Sequence, residues 1–220
     1  MSQPTHVLAF SRTTGFRHGS IEPAVEALRG LSAERGWTTE HTEDPATFAD
    51  DQLARADVVV FLLTTGDVLD EAQQGALERW LKRGRGWVGV HSASDTEYDW
   101  PWYAGLVGAY FAAHPAIQTA TVRVASREHP ATAHLPAAWE REDEWYDFRT
   151  NPRADVDVLM TVDESTYQGG GMGRDHPIAW SRAYGGGRSF YTALGHTDAS
   201  WADPAFLAHV AGGITWAAGR

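Results

Sequence analysis

The segment Asp57–Leu63 reads DVVVFLL, six consecutive apolar residues behind one aspartate. Such a strand has no face to give to water. It must be covered on both sides, which is the condition of a strand inside the parallel sheet of an α/β protein. His6–Phe10 (HVLAF) and Trp87–Val90 are shorter runs of the same kind, and Trp37–Thr42 alternates as a strand does. Between these strands the period changes. Ile21, Val25, Leu28 and Leu31 recur at helical spacing within Ile21–Arg35, and Gly36 stops the pattern. Asp70–Lys82 is amphipathic, with Leu69, Ala72, Ala76, Leu77, Trp80 and Leu81 on one side. Alternating strand and helix predict a parallel sheet with right-handed crossovers.

Beyond residue 90 the alternation weakens. Tyr98–Tyr110 suits a helix with Pro101 near its first turn. Gln118–Ala125 (QTATVRVA) alternates and is expected as an antiparallel or edge strand; Val156–Val162, Ile178–Ser181 and Arg188–Leu194 are further strands, and Pro204–Ala217 is a closing helix. No linker or repeat interrupts the 220 residues, so a single domain over 1–220 is expected, with an irregular insertion at approximately 98–155. Gly169–Gly171 is a loop, expected to be mobile, that could act as a lid.

The net charge of −11 comes without any Lys/Arg cluster, which argues against nucleic acid and anionic membrane as partners. The absence of cysteine excludes disulfides, thiolate metal sites and a cysteine nucleophile. Met1–Thr5 has no basic segment leading into an apolar one, and no apolar run reaches the roughly 18 residues that cross a bilayer. A cytoplasmic protein is expected. Its helices are compatible with a homo-oligomer, and none stands out as the interface.

In open parallel sheets, ligands bind beyond the carboxyl ends of the strands. Thr13, Thr14, Gly15, Phe16, Arg17, His18 and Ser20 follow the first strand; Thr64, Thr65, Gly66 and Asp67 follow the third. His91, Ser92, Ala93, Ser94 and Asp95 follow the fourth; Gly195, His196, Thr197 and Asp198 follow the last. Four strand ends thus bring His, Arg, Asp and hydroxyl groups to one rim, where aliphatic residues would serve stability better. His18, His91 and His196 come from three independent strand ends and are the functional candidates. His6, His41, His129, His134 and His209 are read as structural hydrogen-bonders, and His114 and His176, each before a proline, suit loop anchors equally well. Arg17 suits an oxygen-rich ligand as well as an ion pair; Asp67 and Asp95 suit a ligand as well as helix or turn caps. The aromatic groups Tyr98–Tyr103, with Trp100, and Trp139–Phe148, with Trp145 and Tyr146, stand near Glu142, Asp143 and Glu144. Aromatic faces beside carboxylates are what a sugar cleft needs.

At His91 a wider pattern emerges. Gly89–Ala93 (GVHSA) stands where class I glutamine amidotransferases carry a nucleophilic cysteine on a strained strand-to-helix elbow. With Thr14–Ile21 (TGFRHGSI), Gly89–Thr96 (GVHSASDT), Asp143–Tyr146 (DEWY) and Gly187–Thr197 (GRSFYTALGHT), the chain resembles the trehalose-utilisation (ThuA-like) family over nearly its whole length. The resemblance implies a flavodoxin-like, amidotransferase-type sheet and a link to the use of trehalose and related disaccharides, in which sugars are oxidised to keto-sugars and then cleaved. It also places Arg17, His18, His91, Glu144 and His196 at the family's recurrent polar positions.

The leading expectation is an enzyme acting on a sugar or keto-sugar derivative, of lyase, isomerase or hydrolase type. His91, His18, His196 and Glu144 would be its catalytic groups, and Arg17, Asp67, Ser92, Asp95, Trp100, Trp145 and Tyr146 would contact substrate. A base such as His91 would remove the acidic proton beside a carbonyl, with Arg17 or His18 on the enolate oxygen. A variant sets a divalent metal, Zn²⁺ or Mn²⁺, between His91, His196 and one of His114, His18 or Glu144. The alternative is a non-catalytic carbohydrate-binding or regulatory module on a retired amidotransferase scaffold. Amidotransferase chemistry itself is excluded, because no thiol exists and Ser92 has no evident base and acid partners.

Overall fold

The computed structural model describes residues 4–219; residues 1–3 of the stretch read for a leader lie outside them. In chain order the strands and α-helices are β1 (His6–Phe10), α1 (Ile21–Arg35), β2 (Thr38–Thr42), α2 (Asp50–Leu53), β3 (Val58–Leu62), α3 (Glu71–Leu81), β4 (Gly86–Val90) and α4 (Pro101–Val107). There follow β5 (Phe111–Ala113), β6 (Gln118–Val124), β7 (Ala138–Asp143), β8 (Asp147–Phe148), β9 (Asp157–Asp163), β10 (Pro177–Tyr184), β11 (Gly187–Thr192) and α5 (Pro204–Ala217). Nine strands form one mixed sheet in the order β2-β1-β3-β4-β11-β10-β9-β6-β7, and β5 pairs with β8 apart from it.

The first five strands of that order are parallel. Their arrangement, with β11 as fifth strand, is the doubly wound order of flavodoxin-like sheets. Every residue of Val58–Leu62 is inaccessible, as the apolar run demands. Each such side chain contributes roughly 1.5–3 kcal/mol by burial, which fixes this strand inside the sheet. Helix α1 ends on Gly36 in the left-handed conformation (φ 68°), and α3 starts with a capping box between Asp70 and Gln73. No helix among the described residues is long and apolar enough to cross a membrane.

The second half departs from expectation in instructive ways. The stretch 98–155 contributes more to the sheet than its sequence shows: β6 and β7 lie within it and extend the main sheet, β6 antiparallel to β9 and β7 antiparallel to β6. Strand β6 is antiparallel, as expected, and lies one strand in from the edge, because β7 pairs outside it. β7 reads AWERED, and its inward residues are Arg141 and Asp143, so no apolar alternation betrays it. The expected helix Tyr98–Tyr110 is only Pro101–Val107, since Trp100 is held extended (φ −107°, ψ 97°) before the proline and serves as the N-cap. At the other end Gly108 turns out at φ 92°, where Trp180 occupies the space a Cβ would need. The glycine run is tied down: Gly171 N–H donates to Asp147 at 3.1 Å and Met172 N–H to Glu164 at 2.8 Å.

Candidate active site

The parallel strands end on one rim, and the loops beyond them are laced together. Thr13 pairs with Thr65 and Gly66 with Thr96 as isolated bridges, and the hydroxyls of Thr64 and Thr96 lie 2.9 Å apart. Gly66 can be nothing larger: its φ is 75°, and a Cβ would collide with the Thr14 hydroxyl. The rim is therefore a preformed surface.

His91 is the first residue after β4, fully buried, with φ 52°. A non-glycine residue held there stores strain, and such strain collects at functional sites. The surroundings enforce it. The Tyr191 hydroxyl donates to the His91 carbonyl at 2.7 Å. His91 Nδ1 lies 2.7 Å from the Ala193 carbonyl, so Nδ1 carries the proton and Nε2 presents a lone pair to the rim. Around Nε2 stand His196 Nδ1 at 3.1 Å and Glu144 Oε2 at 3.4 Å, while His196 Nδ1 and Glu144 Oε2 are 3.0 Å apart. His18 completes the group; its ring centroid is 4.9 Å from that of His91 and 5.1 Å from that of His196, with near-perpendicular planes. One ligand atom from each of His18, His91, Glu144 and His196 lies within 4.8 Å of all the others.

Three lone-pair atoms this close repel one another unless a cation or proton sits between them. Donors bonded to a transition metal at about 2.0–2.1 Å are themselves about 2.9–3.4 Å apart, from octahedral to tetrahedral geometry. The observed 3.0, 3.1 and 3.4 Å fall in that range. Imidazole with one carboxylate suits Zn²⁺ and its neighbours in the first transition row. The Nδ1–H of His91 on a carbonyl is the customary outer contact of a ligating imidazole. Titration behaviour agrees with this arrangement. Burial, then the charges of His91 and His196, push His18 down to about 3, leaving a neutral donor. Burial would lower His196, but the hydrogen bond and charge of Glu144 outweigh it and raise its proton affinity. Burial likewise favours protonated Glu144, yet the bonds to His196 and His91 hold it well below the usual carboxylate range. A proton on His196 thus occupies the place a metal would take.

One buried aspartate assembles this group. Asp143 ends β7 with no exposed surface, and its Oδ1 accepts the N–H groups of Glu144 and His196, each at 3.0 Å. Oδ2 accepts from Gly195 N–H at 3.0 Å, the Ser200 hydroxyl at 3.2 Å and Arg141 at 3.2 Å. Two ligand-bearing backbones from opposite parts of the sheet hang on one carboxylate. Sequence reasoning grouped Asp143 with Glu142 and Glu144 as carboxylates beside aromatic rings and gave it no site role of its own, because its partners lie on a distant strand end.

The other expected site residues divide. Tyr146 packs against His91 with centroids 4.2 Å apart and planes tilted by 33°, and the buried Ser92 hydroxyl makes a long 3.4 Å contact with His18 Nδ1. His114 is exposed, and its Nδ1 meets the far oxygen of Glu144 at 3.1 Å; the buried group takes His18 where His114 was one of the expected ligands. Arg17 turns outward to Glu22 at 2.8 Å and Glu43 at 2.9 Å. Asp67 is exposed, and Asp95 accepts the Tyr98 hydroxyl at 2.6 Å. Trp100 stacks on Trp102 and bonds Glu78; Trp145 bonds the Gln118 carbonyl and packs near Tyr167. Both indoles serve the core, as large apolar rings ordinarily do. His176 is a buried anchor, between Glu164 at 2.8 Å and the Tyr146 carbonyl at 2.8 Å. His129 and His209 are core residues whose imidazoles burial pushes down to about 4 and about 3. Hollows of about 630 Å³ beside Arg123 and Asp163, and about 510 Å³ beside His129 and Trp216, lie among the antiparallel strands, away from this chemistry.

The family model described as ThuA, trehalose utilisation, matches residues 6–217. A solved ThuA-like protein from Bacteroides uniformis shares the fold at 24% identity, over 99% of this chain and 93% of that one, with a TM-score of 0.81. Another, from Parabacteroides merdae, does so at 20% identity over 98% and 90%, with a TM-score of 0.80. A cytoplasmic protein from Salmonella typhimurium is similar at 12% identity over 97% and 98%, with a TM-score of 0.61. Among curated proteins, none matches.

Proposed function

The chain belongs to the ThuA family of trehalose utilisation, and from that premise we propose that it is a metal-dependent enzyme acting on a keto-sugar derivative of a disaccharide. The observation that carries this reading is the buried group of His18, His91, His196 and Glu144, with donor atoms at coordination-edge spacing. A Zn²⁺ or Mn²⁺ ion held there would polarise a sugar carbonyl as a Lewis acid. Arg17, tied to two carboxylates, is not free to take that part.

The chain's own residues supply the rest. His91, its tautomer set by the Ala193 carbonyl, orients the centre. Tyr146 closes one side of it with an apolar ring face. His114, exposed and bonded to Glu144, is placed to carry a proton between solvent and the centre. The step that fits is transfer to His114 of the proton on the carbon beside the carbonyl. Its electron pair moves toward the carbonyl oxygen; the C–O bond one carbon further then breaks, and the departing oxygen takes a proton back. A cytoplasmic location agrees with this reading.

Proton NMR of wild-type protein and His91→Ala, each with trehalose or its keto derivative and with Zn²⁺ or Mn²⁺, tests it. New product resonances from the keto derivative that vanish in the variant are expected. Saturation transfer to the sugar without any product would instead establish a binding module.

A further inference from the structure

Among the described residues, the large apolar side chains left exposed are Phe16, at 67%, and Ile117, at 44%. Phe16 stands beside the buried group: its ring meets His18 edge-on with centroids 4.9 Å apart, and His18 meets His91 at the same distance. Water contact of a phenyl ring is unfavourable, and a flexible loop would fold it inward. This loop cannot. The Phe16 carbonyl accepts from the Thr65 hydroxyl at 2.7 Å, and Thr14 N–H donates to the Thr65 carbonyl at 2.9 Å. On the other flank Arg17 is fixed by Glu22 and Glu43. The backbone at Thr14 and Phe16 is thus tied to Thr65, and the Phe16 ring is held in solvent.

We infer that Phe16 is a sugar-stacking platform, binding the pyranose ring of a disaccharide that is not chemically changed while the other ring enters the centre. This rests on the sugar-processing reading above. Phe16 touches His18, and His18 touches His91, with centroids 4.9 Å apart at each contact, so a ring on the platform neighbours the reacting position. A phenyl ring offers no hydrogen bond, so it selects the apolar C–H face of a pyranose and tolerates either arrangement of its hydroxyls. A preformed, rigid platform loses little entropy on binding. Specificity for two-ring substrates then arises at Phe16, outside the metal-ligating group.

The test is calorimetric titration of the Zn²⁺- or Mn²⁺-loaded full chain with trehalose, its keto derivative and glucose, in wild type, Phe16→Ala and Phe16→Trp. Phe16 is exposed, so neither substitution disturbs the core, and metal uptake measured in parallel verifies an intact centre. Phe16→Ala should weaken the two-ring ligands roughly tenfold, leave glucose within about twofold, and be rescued by Phe16→Trp. Undiminished binding of the disaccharides by Phe16→Ala would overturn the platform and leave the enzyme reading standing. A wild-type protein that takes up metal but binds none of the three sugars would overturn that reading and the platform with it.

Discussion

Replacing Asp143 by asparagine alters one atom and removes the acceptor that two ligand-bearing backbones share. The carboxylate takes five hydrogen bonds, from Glu144, His196 and Gly195 N–H groups, the Ser200 hydroxyl and Arg141. An amide keeps one acceptor atom, and its NH₂ group then faces donors. Arg141, itself buried, keeps its 2.7 Å bond to the Ser200 hydroxyl and its 3.3 Å contact with half-exposed Asp203, but loses the buried charge that balanced it. Breaking a buried pair by removing one partner costs about 3–5 kcal/mol, and the remaining contacts favour the lower end. With a urea dependence of about 2 kcal/mol per molar, the unfolding midpoint should fall by about 1.5 M with unchanged slope. Metal affinity should drop about 10- to 100-fold, as is usual when outer contacts of a site are lost. The double variant Arg141→Met/Asp143→Asn removes the orphaned charge and should recover part of the stability, but none of the metal affinity. Wild-type metal affinity in Asp143→Asn would refute the assembling role of this carboxylate, whatever the melting behaviour.

Two further outcomes concern pH. Because Glu144 raises the proton affinity of His196, protons compete with metal there, so affinity should climb as pH rises through and just above the ordinary histidine value of about 6.5. Calorimetric metal titrations at pH 6, 7 and 8 measure it; a flat profile would contradict the pairing. His209 is buried, and its pKa is pushed down to about 3, so below about pH 6.5 the unfolded chain binds a proton there that the folded chain refuses. Stability falls with acidification through that window, by about 1.4 kcal/mol per pH unit for this group. Urea melts at pH 6.5 and 5.0 should show wild type losing about 1–2 kcal/mol more than His209→Leu; equal losses would show that His209 takes up its proton in the fold.

The parallel half of the fold is legible in the sequence because each of its strands states its own burial. Val58–Leu62 cannot be anything but central, and α1 and α5 carry their stop and start signals, Gly36 and Pro204, in plain view. The antiparallel half is legible only in part, because β7 hides its inward face in the Arg141–Asp143 pair and β5 and β8 are three and two residues long. Convergence of His18, His91 and His196 follows from their positions at strand ends, a property of topology that local pattern reaches. Glu144 is different. It arrives from β7 at the far edge of the sheet, and nothing within its own neighbourhood says that Asp143 folds it back onto His196. Arg17, Trp100 and Trp145 show the converse: residue types that suit a sugar cleft are here engaged with acids or with the core.

The most direct measurement is titration of metal-free protein with Zn²⁺ and Mn²⁺, followed by X-ray absorption of the loaded sample, for wild type, His91→Ala and Glu144→Gln. The account predicts one ion per chain in a shell of imidazole nitrogen and carboxylate oxygen, with affinity at least 100-fold weaker in His91→Ala and clearly reduced in Glu144→Gln. A wild-type chain that binds no ion, or variants that bind it as tightly as wild type, would contradict it.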